Sequence, residues 1–230
     1  KQLHPLPYTV SMRLNKYIAA GTSLSRRAAD GAIERGRVTV NGVTATLGTV
    51  VGDDDTVLLD SRPVETAPIH VTILFHKPRG YVCSRDGQGS ATIYELLPKQ
   101  YQKLQPAGRL DKNSSGLLLL SSDGNVLQEL THPKYQKNKV FRVKLNAPLE
   151  PLHQQMITDH GVMLDDGPSR FSIQTAENNK ALLSVTLQEG RNRQVRRTFD
   201  ALGYRVVDLH RTQFGPYALG ELSEGDCRVI

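Results

Sequence analysis

Tryptophan is absent from this 230-residue chain, aromatic residues make up only 6% of it, and Cys83 and Cys227 are its only cysteines. The two cysteines form no CxxC pair and no metal-ligand spacing, which argues against a disulfide framework and a zinc site and fits a reducing cytoplasm. Long apolar runs are missing too. The longest aliphatic run, Leu117–Leu120, falls far short of the roughly 20 residues that a membrane-crossing helix needs. Residues 1–11 hold Pro5 and Pro7 but no apolar core of a secretory signal, so a flexible leader is expected there, with Met12 as a candidate start.

What the chain does have is enough apolar material for real cores, at 38% of its residues, and enough length for one catalytic domain and a small accessory module. Its formal charge is +6 and its pI is near 9.4. A cationic surface of that kind favours a polyanionic partner, because clustered Lys and Arg release counterions from a phosphate backbone.

The charge is not spread evenly. Between Met12 and Thr46 the basic residues Arg13, Lys16, Arg26, Arg27, Arg35 and Arg37 face only Asp30 and Glu34. Four-residue spacings (Leu14 with Ile18, Ala28 with Ala32, Ala29 with Ile33) predict two short amphipathic helices, with Ser25 capping the second. Residues 37–40 and 43–46 flank Asn41-Gly42, a dipeptide suited to a tight hairpin. The expected unit, residues 12–60, is helix, helix, small sheet. Arg13-Leu14-Asn15-Lys16-Tyr17, Ser25-Arg26-Arg27, Gly36 to Gly42 and Gly52-Asp53 together resemble the S-four RNA-binding domain. That resemblance implies RNA contacts from Arg13, Lys16, Arg26, Arg27 and Arg37. Asp53, Asp54 and Asp55 read as a solvated turn rather than a metal cluster. Residues 61–68, with Pro63 and Pro68, read as a linker spanning at most about 28 Å.

From residue 69 the pattern changes to strands with intervening helices. Strands are expected over 71–75, 116–120, 140–145 and 181–187, helices over 151–159 and 192–202, and turns at Lys77 to Gly80 and Asp123 to Asn125. The fold class is therefore α+β, a mixed and largely antiparallel sheet behind a small N-terminal RNA-binding domain. Gly108-Arg109-Leu110-Asp111-Lys112-Asn113-Ser114-Ser115-Gly116 is the chemically suggestive stretch, a polar loop running into a buried strand. Local chemistry alone would make Asp111 a turn-capping or ion-paired residue.

The ordered motifs shift that balance. Arg109-Leu110-Asp111 with Ser114, Gly116 and the leucine run closely resembles the catalytic motif of pseudouridine synthases. His76-Lys77-Pro78-Arg79-Gly80, Thr131-His132-Pro133, Lys139-Val140-Phe141-Arg142-Val143 and Leu187 to Arg197 resemble further segments of the same family in the same order, and the whole matches its RsuA/RluB branch, whose members act on ribosomal RNA. The resemblance implies Asp111 as the catalytic carboxylate, Arg196 as its electrostatic partner, a pocket completed by Arg109, Leu110, Phe141 and Leu187, and RNA contacts from Lys77, Arg191, Arg193 and Arg197. Arg109 would fill the place of a flipped-out base. No metal or small-molecule cofactor is implied. The implied partner is ribosomal RNA or a ribosomal assembly intermediate, met in the cytoplasm by a monomer.

Nine basic residues between Lys99 and Lys144, against Asp111, Asp123 and Glu129, suit an RNA-facing cleft. Phe141 departs from the family, which has tyrosine there; a phenyl ring stacks but exchanges no proton. Gly161 to Pro168 resembles a segment of the RluB-like enzymes, which tilts the expected target toward large-subunit RNA over small-subunit RNA. The competing reading is a non-catalytic RNA-binding or ribosome-assembly protein on the same fold. A methyltransferase is disfavoured, because Gly87-Gln88-Gly89 lacks the third glycine of a nucleotide-binding fingerprint.

Overall fold

The structure, a computed structural model, describes residues 12–52, 55–64 and 71–230. The chain divides into two compact units at His70. In the first, β1 (Met12–Arg13) pairs with β4 (Val50–Val51), and α1 (Leu14–Gly21) and α2 (Arg26–Glu34) follow the predicted periodicity. The Ser25 hydroxyl accepts from the Ala28 amide at 3.2 Å and caps α2. Ala28 itself is exposed; the buried face of α2 is Ala29, Ala32 and Ile33, one turn of the same stripe. These residues pack with Leu14 and Ile18 against Val38, Val51, Val57 and Val64.

β2 (Val38–Val40), β3 (Val43–Thr44), β5 (Val57–Leu59) and β6 (Arg62–Pro63) form a sheet in the order β3-β2-β5-β6. Asn41 and Gly42 turn between β2 and β3 with φ of 51° and 81°, the left-handed pair that a two-residue hairpin demands. The expected boundary at residue 60 falls inside this sheet. Arg62–Pro63 pairs with β5 and Val64 is buried in the small core, so only the later part of the expected linker lies past this sheet. Residues 65–70, the leader 1–11, Asp53 and Asp54 lie outside the described residues. Asp55 accepts from the Gly52 amide and the Asn41 side chain, both at 2.7 Å, which makes it a turn cap.

The second unit is built on β7 (Thr72–Lys77), β9 (Ser115–Ser121), β10 (Lys139–Leu145), β13 (Ser172–Ala176), β14 (Asn179–Leu187), β15 (Val206–Phe214) and β17 (Cys227–Val229). Their order is β13-β14-β10-β15-β9-β7-β17, with β8 (Gln105–Pro106) added to β9 and β16 (Tyr217–Ala218) to β15. Only β15 and β9 run parallel, so the sheet is mixed and largely antiparallel as expected. β11 (Val162–Leu164) and β12 (Gly167–Ser169) form a separate hairpin.

The leucine run is continuous because β9 is central and covered on both faces. Leu118 and Leu120 join Phe75, Phe141, Val143 and Phe199 in one core, while Leu117 and Leu119 join Leu74, Leu130 and Phe214 in the other. Helix α4 (Pro151–Gln155), continued by a π-helical stretch over Met156–His160, and helix α5 (Gln194–Ala201) fall where predicted. Helix α3 (Gly124–Thr131) was not anticipated: Asp123-Gly124-Asn125 reads as a turn, but the Asp123 carboxylate accepts from the Asn125 amide at 2.7 Å and starts a helix.

Gly116 is where the parallel pair closes. It has φ of 106°, and a Cβ there would lie 2.6 Å from the Arg211 amide nitrogen and closer still to the Arg211 carbonyl oxygen. Neither backbone has room to move, so Gly116→Ala is expected to cost about 3 kcal/mol of stability. Thermal unfolding checks this; an unchanged Tm would contradict the close approach.

Candidate active site

The loop from Gly108 to Ser114 runs between β8 and β9 and is held from below by three sets of contacts. The Cys83 thiol donates to the Leu110 carbonyl at 3.3 Å and its sulfur accepts from the Leu110 amide at 3.4 Å. The Gly80 amide donates to the Lys112 carbonyl at 2.8 Å. Lys77, expected to touch RNA, is instead fully buried: its Nζ donates to the carbonyls of Pro78, Asp111 and Ser114 at 2.9, 3.2 and 2.8 Å. Lys77 is the last residue of β7, which lies between β9 and β17, and an ammonium must be met by carbonyls if it is to be buried there. Burial lowers the Lys77 pKa, and the neighbouring Cys83 and Asp111 oppose that shift. Lys77 is a strut under the Asp111 loop.

Above this support Asp111 presents its carboxylate to two guanidinium groups. Its Oδ2 lies 3.6 Å from Arg193 Nη1 and 3.9 Å from Arg196 Nε. Arg193 opens α5 in a left-handed conformation, φ 47°, which brings its side chain and that of Arg196 to the same carboxylate. Arg196 is buried and anchored by three further bonds, from Nη1 to the Val206 carbonyl at 2.9 Å and from Nη2 to the Asn113 carbonyl at 2.9 Å and the Ser114 hydroxyl at 3.3 Å. Burial and the neighbouring Arg193 lower its pKa, while Asp111 works the other way. One arginine thus ties α5 to the loop and holds a cation beside the carboxylate.

Asp111 opens into a cleft of about 450 Å³. Arg109, Leu110, Phe141 and Leu187, all expected at the pocket, line it, and so do Arg191 and Arg193. Arg109 is exposed there, while Phe141 is buried on β10. Arg109, Lys139, Arg191, Arg193 and Arg211 set the lining strongly positive against Asp111 and Glu189. A second cavity of about 530 Å³, lined by Asn138, Thr158, Arg170 and Thr186 among others, shares the wall Leu187 to Glu189 with this cleft. Asp111 belongs to the first cavity alone, which makes that one the chemical site.

Arg191 and Arg197, expected at the RNA backbone, have their terminal guanidinium nitrogens committed within the protein. Arg197 reaches Asp165 and Asp166 at 2.6 Å each and the Asn192 carbonyl at 2.9 Å. Arg191 binds Asp166 at 2.8 Å and the carbonyls of Gly167 and Pro168 at 3.1 and 2.8 Å. Both therefore lash the β11–β12 hairpin to the start of α5, a contact that sequence spacing did not reveal. In the first unit Arg13, Arg26 and Arg27 are exposed, Lys16 is half-buried, and Arg37 is paired with Asp60.

Sequence reasoning missed Arg211 and His210. Both are buried polar residues in β15; His210 meets the Ser115 hydroxyl at 2.9 Å, and Arg211 lines the cleft. Nothing in a strand reading Leu209-His210-Arg211-Thr212 separates a buried cation from a solvated one. Among the described residues no helix is long and apolar enough to cross a membrane.

A carboxylate beside two arginines in a basic, sheet-walled cleft is suited to a polyanionic substrate such as RNA. Residues 71–201 match the RNA pseudouridylate synthase family and residues 12–57 match the S4 domain, and the chain belongs to that synthase family. It is 35% identical to the ribosomal large subunit pseudouridine synthase B of Bacillus subtilis, over 95% of this chain and 91% of that one. It is 34% identical to the ribosomal small subunit pseudouridine synthase A of Pasteurella multocida, over 95% and 96%. A crystal structure of a pseudouridylate synthase superposes with a TM-score of 0.68 at 32% identity, covering 95% of this chain and 96% of that one.

Proposed function

We propose that this protein isomerises a specific uridine of ribosomal RNA to pseudouridine, with Asp111 as the catalytic carboxylate and the target base turned out of its stack into the cleft. The observation that carries the reading is the Asp111 carboxylate in the wall of a cation-lined cleft, with Arg193 and Arg196 within 4.0 Å of it. Two guanidinium groups set positive charge beside the carboxylate, which is suited to act as nucleophile at the anomeric carbon or as base at the neighbouring sugar carbon. The reaction breaks the bond from sugar to base nitrogen, turns the retained uracil and rejoins it through carbon, so it requires no redox partner. Arg109, exposed at the cleft, is suited to the space the base vacates. The exposed cations of the first unit, Arg13, Arg26 and Arg27, supply backbone affinity, and one copy of the chain suffices for the reaction.

Large-subunit RNA is the proposed substrate. Support comes from the resemblance of Gly161 to Pro168 to the RluB-like segment, and these residues form the β11–β12 hairpin held by Arg191. The test is incubation of the purified chain with unmodified transcripts of both ribosomal RNAs, followed by nucleoside analysis. Pseudouridine is expected in the large-subunit transcript. Its appearance only in the small-subunit transcript would reverse the substrate assignment, and RNA binding without any pseudouridine would favour a non-catalytic assembly role.

Phe141 is proposed to stack on the flipped base. Stacking is worth about 1–3 kcal/mol per base, so Phe141→Ala is expected to slow turnover by about ten- to a hundredfold while Phe141→Tyr retains most of it. Single-turnover rates, taken well below the Tm of each variant, decide this. An alanine variant as fast as the parent would exclude the stacking role.

A further inference from the structure

Arg211 sits on β15 between two neighbours, in register with Phe141 of β10 and Gly116 of β9. It is buried and lines the same cleft as Asp111. Its Nε donates to the Leu117 carbonyl at 2.7 Å, and its guanidinium carbon lies 4.7 Å from the ring centre of Phe214 and 6.0 Å from that of Phe141. Its Nη2 is buried with no hydrogen-bond partner among the described residues, and no carboxylate pairs with the group. Burial lowers its pKa to about 10, so it remains a cation at neutral pH.

A buried guanidinium with an unmet donor and no counter-ion is a costly arrangement that a purely structural arginine avoids. Two other buried donors are unmet, and both have local explanations: Arg196 Nε faces Asp111, and Arg191 belongs to the guanidinium that clamps the hairpin. The half-buried Lys139 of the cleft spends its Nζ on the carbonyls of Gln188 and Glu189. Among the buried cations of the described residues, only Arg211 has a free end with no protein partner.

We propose that Arg211 reads the uracil base in the cleft, the free end of its guanidinium donating to a uracil carbonyl oxygen and its charge stabilising the base while it is detached from the sugar. The inference rests on the uridine-isomerising reading given above. In that reaction the C1′–N1 bond breaks with its electron pair passing to uracil, whose negative charge spreads over N1 and the carbonyl oxygens. The C1′–C5 bond then forms, C5 loses a proton and N1 gains one, so nothing else is consumed. A preorganised cation in a desolvated wall acts where that charge develops. It also favours uracil over cytosine, which carries an amino donor in place of one carbonyl.

The test uses the full chain under single-turnover conditions on RNA whose mapped target position carries uridine, 5-fluorouridine, 2-thiouridine or 4-thiouridine. Arg211→Gln is expected to slow uridine conversion by about 100-fold, the scale of losing one preorganised donor, while RNA affinity changes less than about threefold. With 5-fluorouridine, followed as cleavage of the C1′–N1 bond because its C5 carries fluorine and has no proton to lose, the loss should shrink below about tenfold, since a more acidic base needs less help to leave. Equal losses on both bases would assign Arg211 a structural role only and overturn the inference. Should the variant fail to fold, the parent protein still decides: at least one thio-substituted base is expected to react about tenfold more slowly than uridine, since sulfur is the poorer acceptor. No slowing with either would overturn the inference while leaving the function intact. A parent that converts no uridine would overturn both.

Discussion

Asp111→Asn is expected to reduce the rate of uridine isomerisation by roughly 10⁴-fold or more, the scale seen when a charged catalytic group is removed with its shape kept. The substitution leaves the loop's support untouched, because Lys77 and Ser114 contact the Asp111 backbone rather than its carboxylate. RNA affinity should hold or rise slightly, since one negative charge leaves a cation-lined cleft. Rate and affinity therefore separate, and product analysis of digested RNA beside a binding titration reads both. A variant that binds and turns over normally would leave the carboxylate without a role.

Arg196→Met ranks second. The residue does two things at once, facing Asp111 Oδ2 at 3.9 Å and bonding the Val206 and Asn113 carbonyls at 2.9 Å. Removing it strips the buried cation from the carboxylate and leaves two acceptors unmet, so turnover should fall by about 10²–10³-fold and stability by about 2 kcal/mol. Lysine should rescue poorly, because a single ammonium cannot span three separated acceptors as the planar fork does. Comparing kcat and Tm for Arg196→Met and Arg196→Lys distinguishes the two contributions. A lysine variant with parental kcat would show that only the charge matters.

Much of the fold could be read from local pattern. Asn41-Gly42 specifies its hairpin by backbone conformation alone, and the run Leu117–Leu120 specifies a strand covered on both faces. Where reading failed, the reason lies in tertiary contact. Gly124 opens α3 although glycine disfavours helix, because the Asp123 cap and packing of Leu130 outweigh propensity. Lys77 looked like an RNA contact because nothing in Lys77-Pro78-Arg79 reveals that three carbonyls converge on its ammonium. Arg191 and Arg197 looked alike for the same reason, their acidic partners lying more than twenty residues away in the β11–β12 hairpin.

The candidate site was legible in a different way. Asp111 had no distinguishing local chemistry, and only the order of the motifs around it pointed there. The structure then brings Arg193 and Arg196 to its carboxylate across more than eighty residues of chain. Arg211 stayed hidden because burial of a strand cation is a property of its neighbours, here Phe141, Phe214 and Gly116, and not of its own sequence.

Chemical mapping of pseudouridine in both ribosomal RNAs, from cells with and without this gene, tests the central claim most directly. The account predicts the loss of a specific pseudouridine from the large-subunit RNA, restored by the parent protein and not by Asp111→Asn. Maps of both RNAs that are identical with and without the gene would contradict it.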